Sequence, residues 1–488
     1  MFDRLAFLQR SALLLGLTIA GLIDTRADAP KTPSLEREFR ALWIATVYNI
    51  DWPSKAGLKA SEQKAELIQI FDTAQAAGIN AIILQVRPEA DALYRSPYEP
   101  WSAHLTGEMG LGPGYDPLAF AIEAAHERGL ELHAWFNPFR AQANKTKPRA
   151  ANHIANQRPD WIKPYANYLW LDPGNPEVRA YSLEVMLDVV RRYDIDGVHI
   201  DDYFYPYPHP SNENAAPFPD ADTYERFGRG KKDDWRRANV DRFVEALYDG
   251  IKTEKRWVKF GISPFGIWRP GYPKGTEASL DAYGLLYADA RKWLRKGWID
   301  YMMPQLYWSI DSKGQSFPKL LDWWLGENRK KRHLWPGIAT DRVGAQRPAS
   351  EMSKQIELIR EASKGSPGHA HWSANSFIEN QRGVRELLQR KTYAEPALVP
   401  PSPWLKAPAP KRPAVLVSPR GEGFRLRLAL QENIRFWLIQ TRAKGKWTSQ
   451  VVDGKGDTFD LGAFDAIAVS AIGYNGVVSK PVEFALGE

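Results

Sequence analysis

The stretch DGVHIDDYFYPYP, residues 196–208, decides the fold. An apolar run ends on two adjacent aspartates, Asp201 and Asp202, and gives way to alternating aromatics and prolines. A short, nearly continuous apolar run of this kind suits a parallel strand covered on both faces. The same unit recurs outward in both directions. FRALWIATVY (39–48), NAIILQVRP (80–88) and ELHAWFNPF (131–139) precede it, and VKFGISPF (258–265), IDYMMPQLY (299–307), HLWPGIAT (333–340) and HAHWSANSF (369–377) follow. Amphipathic segments such as SEQKAELIQIFDTAQAAG (61–78) and PEVRAYSLEVMLDVVRRY (176–193) separate the runs, several ending in the glycine that stops a helix. Eight strands alternating with eight helices predict an α/β fold, a (β/α)8 TIM barrel over residues 36–393. An open doubly wound sheet is the second choice, because there are eight units and no phosphate-binding glycine fingerprint.

Beyond the barrel the rhythm changes. EPALVPPSPWLKAPAPKRP (395–413) is proline-rich, and residues 394–413 read as a stiff, extended linker. Residues 414–488 carry short period-two runs, among them FRLRLAL and IRFWLIQTR, separated by Gly, Asn and Asp turns. They predict a small all-β sandwich similar to a fibronectin type III domain, acting as a spacer or docking module. At the other end, MFDRLAFLQR is followed by the 13-residue apolar run SALLLGLTIAGLI and then DTRADAP. That is too short for a comfortable membrane span and reads as a signal peptide over residues 1–29. Cleavage after Ala27 is preferred, since Pro30 hinders cutting after Ala29; retention as an uncleaved anchor is the alternative. The expectation is export to the periplasm or cell envelope, with no transmembrane domain beyond this segment.

Composition narrows the class of partner. The chain of 488 residues is 44% hydrophobic and 25% charged, as in soluble globular proteins. Its net charge of +7 comes without a concentrated basic block, which argues against nucleic acid. The absence of cysteine excludes disulfides and a lipoprotein linkage. The 19 Trp and 20 Tyr are a heavy aromatic load, fitting both ordinary core and platforms for sugar rings.

In a barrel of this type the active site lies at the C-terminal ends of the strands. Strand alternation points His199 and Asp201 into the mouth, while Val198 and Ile200 pack outward. Asp202 opens the following loop. Like charge beside like charge raises a carboxyl's pKa, so one of the pair can stay protonated near neutrality. The blander alternatives are that Asp202 only caps a turn, or that both aspartates bind a cation. Other strand ends offer Asp51 and Trp52; Arg87, Glu89 and Asp91; His133, Trp135 and Asn137; Gln305, Tyr307 and Trp308; and Asp341. With Tyr203 they line a wide cleft of aromatics, amides and carboxylates, although Arg87 and Asp91 also suit loop bracing and His133 a satisfied interior histidine. No HExxH or Cys/His cluster offers a metal site, no GxSxG elbow a serine nucleophile, and no Walker A loop a phosphate cradle. No cofactor is implied. Carboxylate chemistry on a glycosidic bond remains. It needs a proton donor and a carboxylate serving as nucleophile or base. Asp201 is the candidate nucleophile or base. Asp202 is the first choice as donor, with Asp91, Glu89 and Asp341 open.

Six stretches together resemble one family. They are FRALWIATVYNIDWPS, NAIILQVRPEADALYRSPYEPWSAHLTG, GYDPLAFAIEAAHERGLELHAWFNP, DGVHIDDYFYPYP, ISPFGIWRP and MPQLYW. The family is the glycosyl hydrolase-like 10 group, formerly a domain of unknown function, which includes a divisome-localised peptidoglycan glycosidase. The resemblance implies an envelope enzyme that cleaves peptidoglycan glycan strands already stripped of their stem peptides, with envelope or divisome proteins as possible partners. It also implies that Asp201 and Asp202 form the acidic centre and that Arg87, Asp91, His133, Asn137, Gln305 and Tyr307 line the cleft. The lactyl carboxylate of muramic acid would suit Arg87 and Arg269. Two alternatives stay open: a glycosidase for an α-glucan or an exported amino-sugar polymer, and a non-catalytic glycan-binding protein.

Overall fold

A computed structural model describes residues 31–208, 217–344 and 347–485. The expected signal peptide lies outside these residues. Eight parallel strands form the barrel: β1 Phe39–Ile44, β2 Ala81–Arg87, β3 Glu131–Phe136, β4 Gly197–Ile200, β5 Lys259–Ile262, β6 Tyr301–Met302, β7, and β8 Gly368–Trp372. β7 comes in two pieces, His333–Leu334 and Gly337–Ala339, because Trp335–Pro336 interrupts it. The first piece pairs with β6 and the second with β8, while β8 pairs with β1, so the ring closes.

Helices return the chain between strands, among them α1 Ala60–Ala76, α2 Pro117–Glu127, α3 Pro176–Arg192 and α4 Lys232–Glu254. Two begin on signals visible in the sequence. Asp116 accepts a bond from the Ala119 amide ahead of Pro117, and Asn175 does the same for Glu177 ahead of Pro176. A polar cap satisfies an otherwise orphan helix N–H, and proline is pre-set for the first helical position.

The barrel interior is filled with rings. Phe39, Trp43, Tyr301 and Trp335 are buried there, together with His133 and His199. Neighbouring strands make room by carrying glycine. A Cβ at Gly197 would stand 2.4 Å from the His133 ring, and one at Gly261 would stand 1.9 Å from the Tyr301 ring. Tyr301 Oη lies 2.9 Å from His133 Nδ1 and 3.0 Å from His199 Nδ1. These polar rings therefore satisfy one another inside a fully buried core, as buried polar groups must.

The C-terminal unit is a sandwich of antiparallel strands: β9 Val415–Arg420, β10 Gly423–Leu428, β11 Ile434–Ala443, β12 Lys446–Asp453, β13 Thr458–Leu461, β14 Ala466–Gly473 and β15 Val482–Ala485. One sheet has the order β9-β10-β13 and the other β12-β11-β14-β15, around a core that includes Leu426, Trp437, Ile439 and Val469. The sandwich packs against the end of the barrel away from the aspartate pair. Arg435 of β11 is buried there, bonded to Asp194 at 2.9 Å and lying 2.6 Å from Asp196, just before β4. The proline-rich stretch does not run free. Ala397–Leu398 pairs with Glu36–Arg37, Ser402 is buried with its hydroxyl 3.0 Å from His333 Nε2, and Trp404 donates to Asp300. Its prolines limit the conformations lost on docking, and its few apolar side chains find a surface to cover.

Candidate active site

At the open end of the barrel, a cavity of about 220 Å³ is lined by Trp43, Trp135, Asp201, Asp202, Tyr203, Tyr207, Ser263, Gln305, Tyr307 and Trp372. Six of these ten side chains are Trp or Tyr, which gives the cavity flat apolar walls around two acids.

β4 delivers both aspartates. Val198 and Ile200 join the outer core against the helices, so His199 and Asp201 face inward. Asp201 then caps the turn that ends the strand, its Oδ1 accepting the Tyr203 amide at 3.1 Å. That turn breaks the strand alternation and brings Asp202 round to the same cavity. The two carboxyls sit in different company. Asp201 Oδ2 accepts from Asn137 Nδ2 at 2.6 Å and Trp135 Nε1 at 3.1 Å. Asn137 is held in turn, its Oδ1 accepting from Gln85 Nε2 at 2.6 Å and Arg140 Nη2 at 2.8 Å. Burial raises the Asp201 pKa, opposed by the Arg140 charge and by the donors on its oxygens. Asp202 accepts from the Tyr207 hydroxyl and has Asp201 as its charged neighbour. Burial, followed by repulsion from Asp201, lifts its pKa to about 7. The two neighbouring carboxyls thus differ in how tightly each holds a proton, the kind of asymmetry that a glycosidic acid and base pair uses.

The remaining sequence candidates divide sharply. Tyr203, Gln305 and Tyr307 line the cavity with the aspartates. Asn137 is fully buried and reaches the cavity only through Asp201. His133 and His199 are corrections: they are interior packing below the cavity floor, where burial holds the His199 pKa well below its ordinary value. Arg87 is also a correction. Its guanidinium is buried against Glu99, and it bonds the Asn137 and Pro138 carbonyls. It braces the loop after β2, fully buried and outside the cavity lining. Trp52 is core, with Nε1 bonded to the Gln63 carbonyl at 2.9 Å. Asp51 ties the loop after β1 to that after β8, accepting from Ala45 N, Ser373 Oγ and Asn375 N. Trp308 packs edge-on to Phe265 outside the lining. Asp341 is exposed on the turn Thr340–Arg342, beyond Tyr307. Glu89 and Asp91 line a separate cavity of about 420 Å³ with His104, Gln142, Lys147 and Arg149, where burial and then Glu89 raise the Asp91 pKa to about 6. Arg269 is paired with Asp281 at 3.3 Å. Among the described residues, no group of three or more His, Cys, Asp or Glu is placed to hold a metal ion.

Sequence reasoning missed Trp43, Tyr207, Ser263 and Trp372 as lining residues, and Arg140 as the cation nearest the Asp201 charge. Tyr207 was the most accessible of these. It lies five residues beyond Asp202 on an aromatic-proline loop, close enough for its hydroxyl to turn back.

A closed eight-stranded barrel with paired acids in an aromatic cavity at its C-terminal mouth fits a carbohydrate-cleaving enzyme. Comparison with known proteins agrees: the model of the glycosyl hydrolase-like 10 family matches residues 38–354. The chain belongs to that family and is a glycoside hydrolase. It is 46% identical over 399 residues to glycosyl hydrolase YngK of Bacillus subtilis, covering 78% of this chain and 76% of that one. It is 37% identical over 337 residues to glycosyl hydrolase DigH of Escherichia coli K12, covering 64% of this chain and 75% of that one. Among solved structures, the catalytic domain of a β-amylase from Paenibacillus polymyxa aligns with a TM-score of 0.49 at 12% identity, over 74% of this chain and 99% of that one.

Proposed function

We propose that this glycoside hydrolase is exported and cleaves peptidoglycan glycan strands that have lost their stem peptides. Asp202 is the proton donor to the leaving oxygen, and Asp201 is the nucleophile or the base that activates water. The observation that carries the chemical reading is the unequal environment of two adjacent carboxyls in one cavity. Donors and Arg140 favour the charged form of Asp201, whereas burial and the neighbouring charge favour the protonated form of Asp202. The substrate follows from the family resemblance, and aromatic walls suit the apolar faces of its sugar rings. Asn137 and Trp135 orient Asp201 by two donated bonds, and Gln85 and Arg140 hold Asn137 so that its NH₂ faces the carboxylate. Export rests on the apolar run of residues 11–23 behind Arg4 and Arg10.

The test is incubation of the purified chain with amidase-treated sacculi, followed by mass spectrometry of the soluble fraction. Released disaccharide-sized fragments are the expected outcome, lost in the Asp201→Asn and Asp202→Asn variants. Cleavage of starch or poly-glucosamine with none of sacculi would replace the substrate. Full release by either Asn variant would remove that aspartate from the mechanism.

A further inference from the structure

Two arginines next to the cavity form no close ion pair among the described residues. Arg342, just after β7, donates from Nη1 to the Tyr307 carbonyl at 2.9 Å, and Arg347 donates from Nη1 to the same oxygen at 3.2 Å. Two like charges thus converge on one carbonyl, and among the described residues neither guanidinium forms an ion pair. The nearby acids act on them without a close contact, Asp341 on both and Glu351 on Arg347. Glu351 is committed to the Ile310 amide at 2.8 Å and the Gln355 side chain at 3.2 Å. Asp341 acts on both guanidiniums only at longer range. Burial and the neighbouring Arg342 charge lower the Arg347 pKa, so bringing the two together carries an electrostatic cost. A third point ties the pair to the reaction. The ring of Tyr307 is part of the cavity wall that holds Asp201 and Asp202, and the Arg342 guanidinium lies 5.8 Å from the centroid of that ring. Each guanidinium offers planar N–H pairs beyond the one it spends on the carbonyl, a geometry that matches carboxylate oxygens two at a time.

We propose that Arg342 and Arg347 form an acidic-sugar recognition site, binding a carboxylate carried by the glycan unit that lies against Tyr307. The enzyme thereby selects carboxylate-bearing glycans over neutral ones. This rests on the glycosidase reading of the cavity and replaces Arg87 and Arg269, which are committed to Glu99 and Asp281, as the partners of a sugar carboxylate.

The experiment compares two glycans. Peptide-free peptidoglycan strands are used as they are, and after carbodiimide amidation has converted the lactyl carboxylates to amides. The expected result is a preference in kcat/KM for the charged strand of about tenfold or more, as for a charge-assisted bidentate contact. That preference should fall to within about twofold in R342Q/R347Q and be partly restored in R342K/R347K, where charge remains without the planar fork. A general disturbance around Tyr307 would slow both substrates alike and leave the ratio intact. The same ratio is read as binding affinity with the Asp202→Asn variant, independently of turnover. Equal kcat/KM and equal affinity for the two strands, or a ratio unaltered in R342Q/R347Q, would overturn the proposal. If neither strand is cleaved, the glycosidase assignment for this polymer fails, and the affinity ratio still decides the arginine site.

Discussion

The two ends of the barrel treat buried acids in opposite ways. At the closed end Asp196 meets Arg435 at 2.6 Å, His126 Nε2 at 2.8 Å and the Leu132 amide at 2.8 Å. Glu131 meets Lys259 Nζ at 2.8 Å and His133 Nε2 at 3.1 Å. Asp300 takes Lys252, the Phe260 amide and the Trp404 indole. Burial alone would raise the pKa values of Asp196 and Glu131, but their cations outweigh it and both fall below the ordinary range. At the open end Asp201 and Asp202 are similarly buried, Arg140 is the cation that acts on Asp201 among the described residues, and both are raised. Burial and the cations placed beside a carboxyl together set how tightly it holds its proton.

The contrast runs through stability with opposite signs. Carboxyls with depressed folded pKa values, such as Asp196 and Glu131, stabilise the fold above their unfolded pKa, and that contribution disappears as pH falls through the folded value. Asp202, raised to about 7, does the reverse. Its contribution is full below the unfolded pKa and is lost as pH rises toward and through 7. Near neutrality Asp196 and Glu131 therefore add to stability while Asp202 subtracts from it.

The sharpest way to break this comparison is at the open end. Asp202→Asn and Asp201→Asn should each lower kcat on peptide-free glycan by about 10²–10⁴-fold, the range for a lost acid–base group, measured by product release. The closed end should answer in stability instead. Arg435→Met leaves Asp196 and Asp194 short of their cation and should cost about 3–5 kcal/mol in denaturant unfolding, while leaving the pH–rate profile in place. A shifted profile would mean the two ends are coupled. The third prediction inverts the usual result of mutation: Asp202→Asn should raise stability at pH 8 by up to about 4 kcal/mol, the free energy of a three-unit pKa displacement, with no gain at pH 4. A loss at pH 8 would refute the assignment of Asp202 as an unfavourably buried carboxylate. The smallest effect concerns tuning. Activity should decline as pH rises through about 7, where Asp202 loses its proton. Tyr207→Phe removes a donor that favours the charged form, so this limb should move up by about one pH unit. A downward move would show that the hydroxyl favours the acid form.

The fold was legible because periodicity is a local property. Near-continuous apolar runs such as FRALWI and the capped helices after Asp116 and Asn175 record on which sides each element is buried, and eight repetitions leave little choice of architecture. Asp201 was legible for a related reason, since alternation along β4 fixes its direction. Alternation could not distinguish depth. His133 and His199 obey the same inward parity as Asp201, yet they lie beneath the cavity, packed around Tyr301 in space made by Gly197 and Gly261. Arg87 and Glu89 were misplaced for another reason. The loop after β2 folds back on the strand end, and the Glu99 that neutralises Arg87 lies twelve residues away.

The sequence by itself determined the order of strands and helices, the change to an antiparallel sandwich, and the position of paired acids where β4 ends. Each of these follows from the pattern of neighbours along the chain. Only the tertiary structure decided which acids keep their charge, which arginines are committed, and that the sandwich closes the far end of the barrel through Arg435. Those outcomes depend on desolvation and on partners distant in sequence, and electrostatic energy is set by separation in space, not along the chain.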